Sequence, residues 1–413
     1  MTLRPVKRRT GPRLPSRAFW LKPMRDRIYI DDSRQRVRSG HPWVYDNQVL
    51  RFEGRLKPGA VVQVFDVKKG PLGQGYFNPR SKIRVRMLTK DLDEPIDAAF
   101  FRRKIAAAWA YRQRMGQPES CRVVFGEADG LPALVVDKFN DVLVLQTLAL
   151  GMDQFKPEIV QALHEVLRPR GVYERNDVPV REKEGLDQVK GPVGEEFPTR
   201  LSVVENGVRF LVDVANGQKT GHFLDQRLNH AALEHIAKDA RVLDCFTHTG
   251  GFALHAAHYG AREVLGLDIS EEAVASARAN ARENGLAERC TFVAANVFDF
   301  LAGPVKESGA WDVIVLDPPA FAKSRSALEN AVRGYKEINL RAMKALPPGG
   351  ILVTCSCSQH LLPELFRKTL ADAAHDAHRE LREVYSGGQP PDHPVHWAMP
   401  ETHYLKCLVL QVL

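Results

Sequence analysis

Two strand-end segments and one turn carry residues whose types could do chemistry. Thr354-Cys355-Ser356-Cys357-Ser358 follows the apolar run Ile351-Leu352-Val353, so a thiol falls just past a predicted strand end. Asp317-Pro318-Pro319 closes another apolar run, and the acid-bearing turn Asp244-Cys245-Phe246-Thr247-His248-Thr249-Gly250-Gly251 follows a third. A thiol at one strand end and a carboxylate at the next suggest covalent catalysis, with the carboxylate as a polar anchor for the group attacked. Cys357 is the candidate nucleophile because it lies beyond the strand, where ligands bind. Cys355 sits inside the apolar strand and reads as core. A metal site built on Cys355, Cys357 and His360 lacks the usual spacing and a fourth ligand, so no metal is expected.

The elements that must position these residues read as alternating strands and helices over residues 200–413, the pattern of a doubly wound parallel sheet. Strands are predicted at Arg241–Asp244, Glu263–Asp268, Cys290–Ala294, Trp311–Leu316 and Ile351–Cys355, with a closing strand at Tyr404–Val412. Ser270 caps a helix with Glu271 and Glu272 in its first turn. In such folds ligands sit outside the carboxyl ends of the strands. Asp244, Asp268, Asp317 and Cys357 all fall at or just past such ends. The first turn is not G-x-G-x-x-G; it begins with Asp244 and Phe246 and reaches Gly250 only at the helix entry. A carboxylate there repels a pyrophosphate but suits a cationic ligand such as the amino group of a methionine moiety. Asp268 is placed to accept hydrogen bonds from ribose hydroxyls. Together they favour S-adenosyl-L-methionine over a dinucleotide.

The preceding residues divide into three stretches. Eight of the 58 basic residues lie in residues 1–25, which contain no acid; the remainder balances 50 acidic residues with 50 basic ones. This proline-bearing tail is predicted to be disordered. It is a phosphate-seeking arm, a solubility extension or a targeting peptide. Residues 26–95 read as a small β domain, with strands at Arg27–Ile30, Val61–Val67 and Lys82–Thr89. Arg80, Lys82, Arg84 and Arg86 share parity, so the cations from Lys82 onward are predicted to line one strand face opposite Ile83, Val85 and Met87. That face either grips a nucleic-acid backbone or is merely solvated. Residues 96–199 read as an α+β unit, with helices near Phe100–Met115 and Phe155–Leu167 and a polar linker at Val180–Pro198. No apolar run reaches bilayer-spanning length, and no secretory signal core opens the chain. A cytoplasmic protein without membrane partners is expected; oligomeric state is not readable.

Over nearly its whole length the sequence resembles the bacterial PUA-domain ribosomal RNA large-subunit methyltransferase I family, which makes 5-methylcytosine in 23S rRNA. The resemblance is carried by Ser39-Gly40-His41-Pro42-Trp43-Val44, by Lys219-Thr220-Gly221-His222-Phe223-Leu224-Asp225-Gln226-Arg227 and by the first-strand turn. Asp317-Pro318-Pro319-Ala320-Phe321, Gly334-Tyr335-Lys336-Glu337-Ile338-Asn339, Ser356-Cys357-Ser358 and Asp392-His393-Pro394 complete it. It implies an α/β chain in three parts: a PUA-like β-barrel domain, a central α+β domain and a Rossmann-like class I methyltransferase domain. It also implies 23S rRNA, naked or in an assembling large subunit, as partner. Two positions depart from the pattern. Asn296 stands where an acid usually contacts the adenine amino group, and His222 where a bulky residue is more frequent.

The chemistry implied is thiolate addition of Cys357 to carbon 6 of a cytosine, which makes carbon 5 nucleophilic. Asp317 would accept a hydrogen bond from the 4-amino group or share a proton at nitrogen 3. Phe321 either stacks on the extruded base or is core. The acceptor of the carbon 5 proton stays open between Asp317 and His393. Other readings are carbon 5 methylation of uracil or of a tRNA base, and a non-catalytic RNA-binding ribosome-assembly factor.

Overall fold

The computed structural model describes residues 26–116, 119–303, 310–322 and 325–413; the basic tail at 1–25 lies outside the described residues. Residues 27–89 form a six-stranded sheet in the order Trp43–Tyr45, Ile83–Thr89, Gly70–Phe77, Val61–Asp66, Arg27–Ile30, Val49–Glu53. Alternating apolar residues such as Ile28, Ile30, Val62, Val64 and Val85 fill its interior, as the two-residue period of a strand requires.

A five-stranded sheet follows, in the order Val189–Pro192, Gly171–Asn176, Val142–Thr147, Leu134–Phe139, Cys121–Phe125. Helices Ala98–Arg114 and Lys156–Leu167 contribute Phe101, Ile105, Ile159 and Leu163 to its core. The expected linker at Val180–Pro198 is corrected here. It contains the short helix Val180–Glu184 and the edge strand Val189–Pro192, and Arg181 and Glu184 are buried. A polar composition hid these elements because their charged residues are satisfied by partners elsewhere. Arg181, for example, donates to Asp153 and to the Asp187 carbonyl.

The last part is a seven-stranded sheet in the order Cys290–Ala294, Glu263–Asp268, Arg241–Cys245, Val313–Leu316, Ile351–Ser356, Lys406–Val412, Leu381–Gly388. The first five strands are parallel, and Lys406–Val412 runs antiparallel to both of its neighbours. Strand order reverses between Arg241–Cys245 and Val313–Leu316, so the loops after these two strands part and leave a crevice. Among the elements that escaped the sequence reading are the Leu381–Gly388 edge strand and the hairpin Arg200–Glu205/Val208–Asp213. The hairpin buries Leu201, Val203, Phe210 and Val212 in the same core as Ala253 and Ala277. Among the described residues no helix is long and apolar enough to cross a membrane.

The expected cationic stripe is also corrected. Arg86 is 6% exposed and its Nη2 donates to Glu184 Oε1 at 3.0 Å. Arg84 is half-buried and donates to the Pro79 carbonyl. Of the four cations only Arg80 and Lys82 stand exposed, and Lys82 precedes the strand, which begins at Ile83. Parity placed Arg86 correctly on a face, but that face is covered by the Val180–Glu184 helix.

Candidate active site

The crevice at the strand-order reversal opens into a cavity of about 510 Å³. Six residues singled out from the sequence line it: Phe246, Asp268, Asn296, Asp317, Phe321 and Cys357. Asp244, Gly250 and the Arg80–Arg86 stripe do not.

The turn after Arg241–Cys245 is built under strain. Phe246 and His248 have φ of 67° and 50°, and Gly250 has φ of 93°. A bulky residue in the left-handed region costs free energy and persists only where its surroundings over-determine it. Here Thr247 N donates to the Leu267 carbonyl at 2.8 Å and His248 N to Asp268 Oδ2 at 2.9 Å. Asp244 is the other restraint. Its Oδ2 accepts from Thr247 Oγ1 at 2.6 Å and from Ala253 N, in the first turn of the following helix, at 2.9 Å. Burial pushes its carboxyl up to about 7. Asp244 thus shapes the turn from beneath and is not among the residues lining the cavity, while its Oδ1 is buried without a hydrogen-bond partner, so a contact with a ligand's amino group stays a proposal. Gly250 supplies the left-handed entry to the helix.

Asp268 and Asn296 face the cavity with acceptor capacity left over. Asp268 takes one backbone N–H on each oxygen, from His248 and Ser270, and a carboxylate has about four lone-pair sites. Asn296 Oδ1 caps the next helix by accepting from Phe298 N at 2.9 Å. Ribose hydroxyls and an adenine amino group are donors that suit these acceptors, so the residues present fit S-adenosylmethionine.

The Ser-Cys-Ser run explains itself in three dimensions. Ser356 Oγ donates to Tyr335 Oη at 3.0 Å, and Ser358 Oγ lies 3.1 Å from the same hydroxyl while accepting from Ala322 N. Both serines are held on one side of the turn, and Cys357 between them lines the cavity. Cys355 has the same parity as Cys357 but sits one step back, where the sheet still has a core. It is fully buried and pairs in register with Cys407. Burial and the Asp317 charge raise the Cys357 thiol to about 11. Burial, aided by Asp225, raises Asp317 to about 6. His393 is not on the wall. It is buried against Phe125 and beside Asp392, whose carboxylate accepts from Arg122 N at 2.9 Å. The Asp392-His393-Pro394 run therefore docks the last part of the chain onto the central sheet.

Several wall residues had been given no role from sequence. Lys219, Asp225, Gln226 and His230 come from the segment between the hairpin and the first parallel strand. Asp225 accepts from Tyr404 Oη at 2.6 Å and pairs with Lys219 at 3.3 Å, and these partners hold its carboxyl well below the usual range despite burial. The segment is anchored by Thr220, which donates to Asp137 Oδ2 at 2.6 Å, itself paired with Arg122. Glu205, behind the wall, gathers three histidines, of which His222 and His230 also line the cavity. His230 Nδ1 lies 2.6 Å and His222 Nε2 3.3 Å from its carboxylate, and His255 Nε2 3.1 Å from its carbonyl. His222, the unexplained departure, belongs to this buried cluster. From sequence, the segment Lys219 to Arg227 enters only as a carrier of the family resemblance, and His230 lies just beyond it.

Comparison with known proteins agrees with this geometry. The S-adenosylmethionine-dependent methyltransferase family profile matches residues 188–403, and a PUA-like domain profile matches residues 31–90. A "Ribosomal RNA large subunit methyltransferase I" from Alteromonas mediterranea is 40% identical over 394 residues, covering 94% of this chain and 99% of its own. A protein of the same name from Photobacterium profundum is 43% identical, covering 92% and 97%. Among solved structures, a SAM-dependent methyltransferase from Streptococcus mutans superposes with a TM-score of 0.80 at 20% identity, over 94% of this chain and all of the other. A methyltransferase solved with SAH gives 0.81 at the same identity and coverage. These two show the shared fold.

Proposed function

Because the chain belongs to the ribosomal RNA large subunit methyltransferase I family of S-adenosylmethionine-dependent methyltransferases, we propose that it methylates carbon 5 of a cytosine in 23S rRNA through a covalent adduct on Cys357. S-adenosylmethionine supplies the methyl group from a positively charged sulfur. Asp268 would hold its ribose and Asn296 its adenine amino group.

The observation that carries the reading is the shared cavity wall of Cys357 and Asp317. The Cys357 thiolate adds to carbon 6, and the ring's 5,6 electron pair becomes available at carbon 5. After carbon 5 is methylated its proton leaves to a base, the carbon–sulfur bond breaks and the double bond returns. Asp317, ionised above about pH 6, accepts from the cytosine 4-amino group and orients the ring for attack; a proton shared with nitrogen 3 would take up the negative charge as sulfur adds. A uracil offers a carbonyl at that position, which a carboxylate repels, so the wall favours cytosine. Phe321 lines the same cavity and contacts Tyr335 with ring centroids 4.7 Å apart; its exposed part is available for stacking.

The deciding experiment is methyl transfer from labelled S-adenosylmethionine to unmodified 23S rRNA, with nucleoside analysis and Cys357→Ala in parallel. 5-Methylcytosine that disappears with Cys357 is expected. Methyluridine, or a tRNA product, would redirect the assignment. Cofactor binding without turnover would instead favour an assembly factor.

A further inference from the structure

Lys406 is 6% exposed, yet its ammonium group has no carboxylate in ion-pair range among the described residues. Its Nζ donates to the Ser358 carbonyl at 2.8 Å and to the Tyr404 carbonyl at 2.7 Å. Its Cα pairs in register with Ser356. Lys406 therefore flanks both neighbours of Cys357: Ser356 across the strands and Ser358 through its carbonyl.

A buried charge without a counter-ion is costly, and lysine in such a place ordinarily gives up its proton. Two carbonyls satisfy hydrogen bonds but do not neutralise the charge. The acidic group that the ammonium flanks is the Cys357 thiol. We propose that Lys406 is the built-in counter-ion of the Cys357 thiolate, a positioning residue that promotes thiol ionisation from behind the turn without entering the cavity. This rests on the reading of Cys357 as nucleophile and adds which buried group offsets part of the upward push that burial and Asp317 exert on its thiol.

The other charged or titratable groups that act on Cys357 pull in both directions. Asp317, at the end of Val313–Leu316, and Asp225 oppose ionisation, whereas Lys219 favours it, more strongly than Lys406. Tyr335, from the helix Leu328–Ala345, and Tyr404 feel the thiolate as an added negative charge. Lys219 is half-exposed and already paired with Asp225. Lys406 is therefore the cation whose field is least screened by water. Burial lowers Lys406 itself to about 8, and Cys357 acts in the opposite direction, as expected of two coupled groups.

The test is the pH dependence of Cys357 alkylation by iodoacetamide, located by peptide fragmentation, in the full-length protein. Lys406→Gln keeps a donor for the carbonyls but not the charge; Lys406→Arg keeps the charge. The expected result is a Cys357 midpoint at least one unit higher in Lys406→Gln, about a tenfold slower reaction at pH 8, with Lys406→Arg closer to the unaltered protein. No movement in Lys406→Gln, or equal movement in both variants, overturns the proposal. Should Lys406→Gln fail to fold, Lys406→Met is measured in its place against Lys406→Arg, with the same two outcomes. Alkylation does not depend on methyl transfer. An error in choosing the nucleophile would show separately, as methylation by Cys357→Ala.

Discussion

The Arg86 guanidinium is bound to the Glu184 carboxylate at 3.0 Å, with both side chains under 10% exposed. Glu184 also accepts from Asn78 Nδ2 at 2.8 Å and Ser81 Oγ at 2.6 Å, so one carboxylate clamps the first sheet to the central one. One of the four cations of the expected stripe is thus a structural bolt. Arg86→Ala leaves a buried carboxylate without its counter-charge and is expected to destabilise the protein by about 3–5 kcal/mol, measured by urea unfolding. Arg80→Glu with Lys82→Glu leaves stability unchanged. If these exposed cations touch RNA, the double variant reduces the salt slope of binding by roughly 0.7 for each phosphate that is no longer neutralised. An unchanged slope would assign them to solvent.

Cys357→Ala is expected to abolish methyl transfer while leaving SAH binding, read by calorimetry, within twofold. Cys355→Ala acts on the core shared with Cys407 and Val353. It is expected to cost about 1–2 kcal/mol of stability with turnover nearly intact. Equal loss of activity in both variants would undo the choice of nucleophile.

The acid limb of kcat/KM is expected near pH 6, the value to which burial raises Asp317, because only its ionised form accepts from a 4-amino group. The pH–rate profile of the free enzyme reports this group. Asp317→Asn should lose at least a hundredfold in rate and show no limb at that pH. A limb that survives the substitution would belong to another group.

Asn296 replaces a charged acceptor by a neutral one. A charge-assisted hydrogen bond is about twice as strong as a neutral one, so Asn296→Asp is expected to tighten SAH binding by roughly threefold to tenfold while preserving the helix cap. Asp268→Ala loses both the ribose acceptors and the tie to His248, and binding should weaken by at least about tenfold. Calorimetric titration of the two variants separates these effects.

His255 is neutral in the folded state, because burial lowers it to about 4, while the unfolded chain titrates near 6.5. Its contribution to stability is complete above 6.5 and is lost as pH falls toward 4, since the unfolded state then binds the extra proton. His255→Gln removes this titration. Between pH 6.5 and 4 the urea midpoint of the unaltered protein should fall more than that of His255→Gln. Parallel curves would mean that His255 keeps an ordinary affinity for protons.

Much of this protein could be read from residue order. The parallel strands, the Ser270 cap and the line of Asp268, Asp317 and Cys357 along one sheet edge follow from periodicity and from where each apolar run stops. The distinction between Cys355 and Cys357 followed too, because both share a strand face and only one lies beyond its end. These are local rules: side-chain parity and strand length decide them within a few residues.

What the tertiary structure alone decided depends on partners distant in the chain. Arg86 became a buried ion pair through Glu184, and Asp244 turned beneath its loop to meet Thr247 and Ala253. His222 and His230 found Glu205, and Lys406 was brought behind Cys357 by antiparallel pairing. A charged side chain carries the same letter whether it faces water, a counter-ion or a ligand. Which of these it faces is fixed by desolvation and by the groups that folding delivers from elsewhere, and no local pattern encodes that.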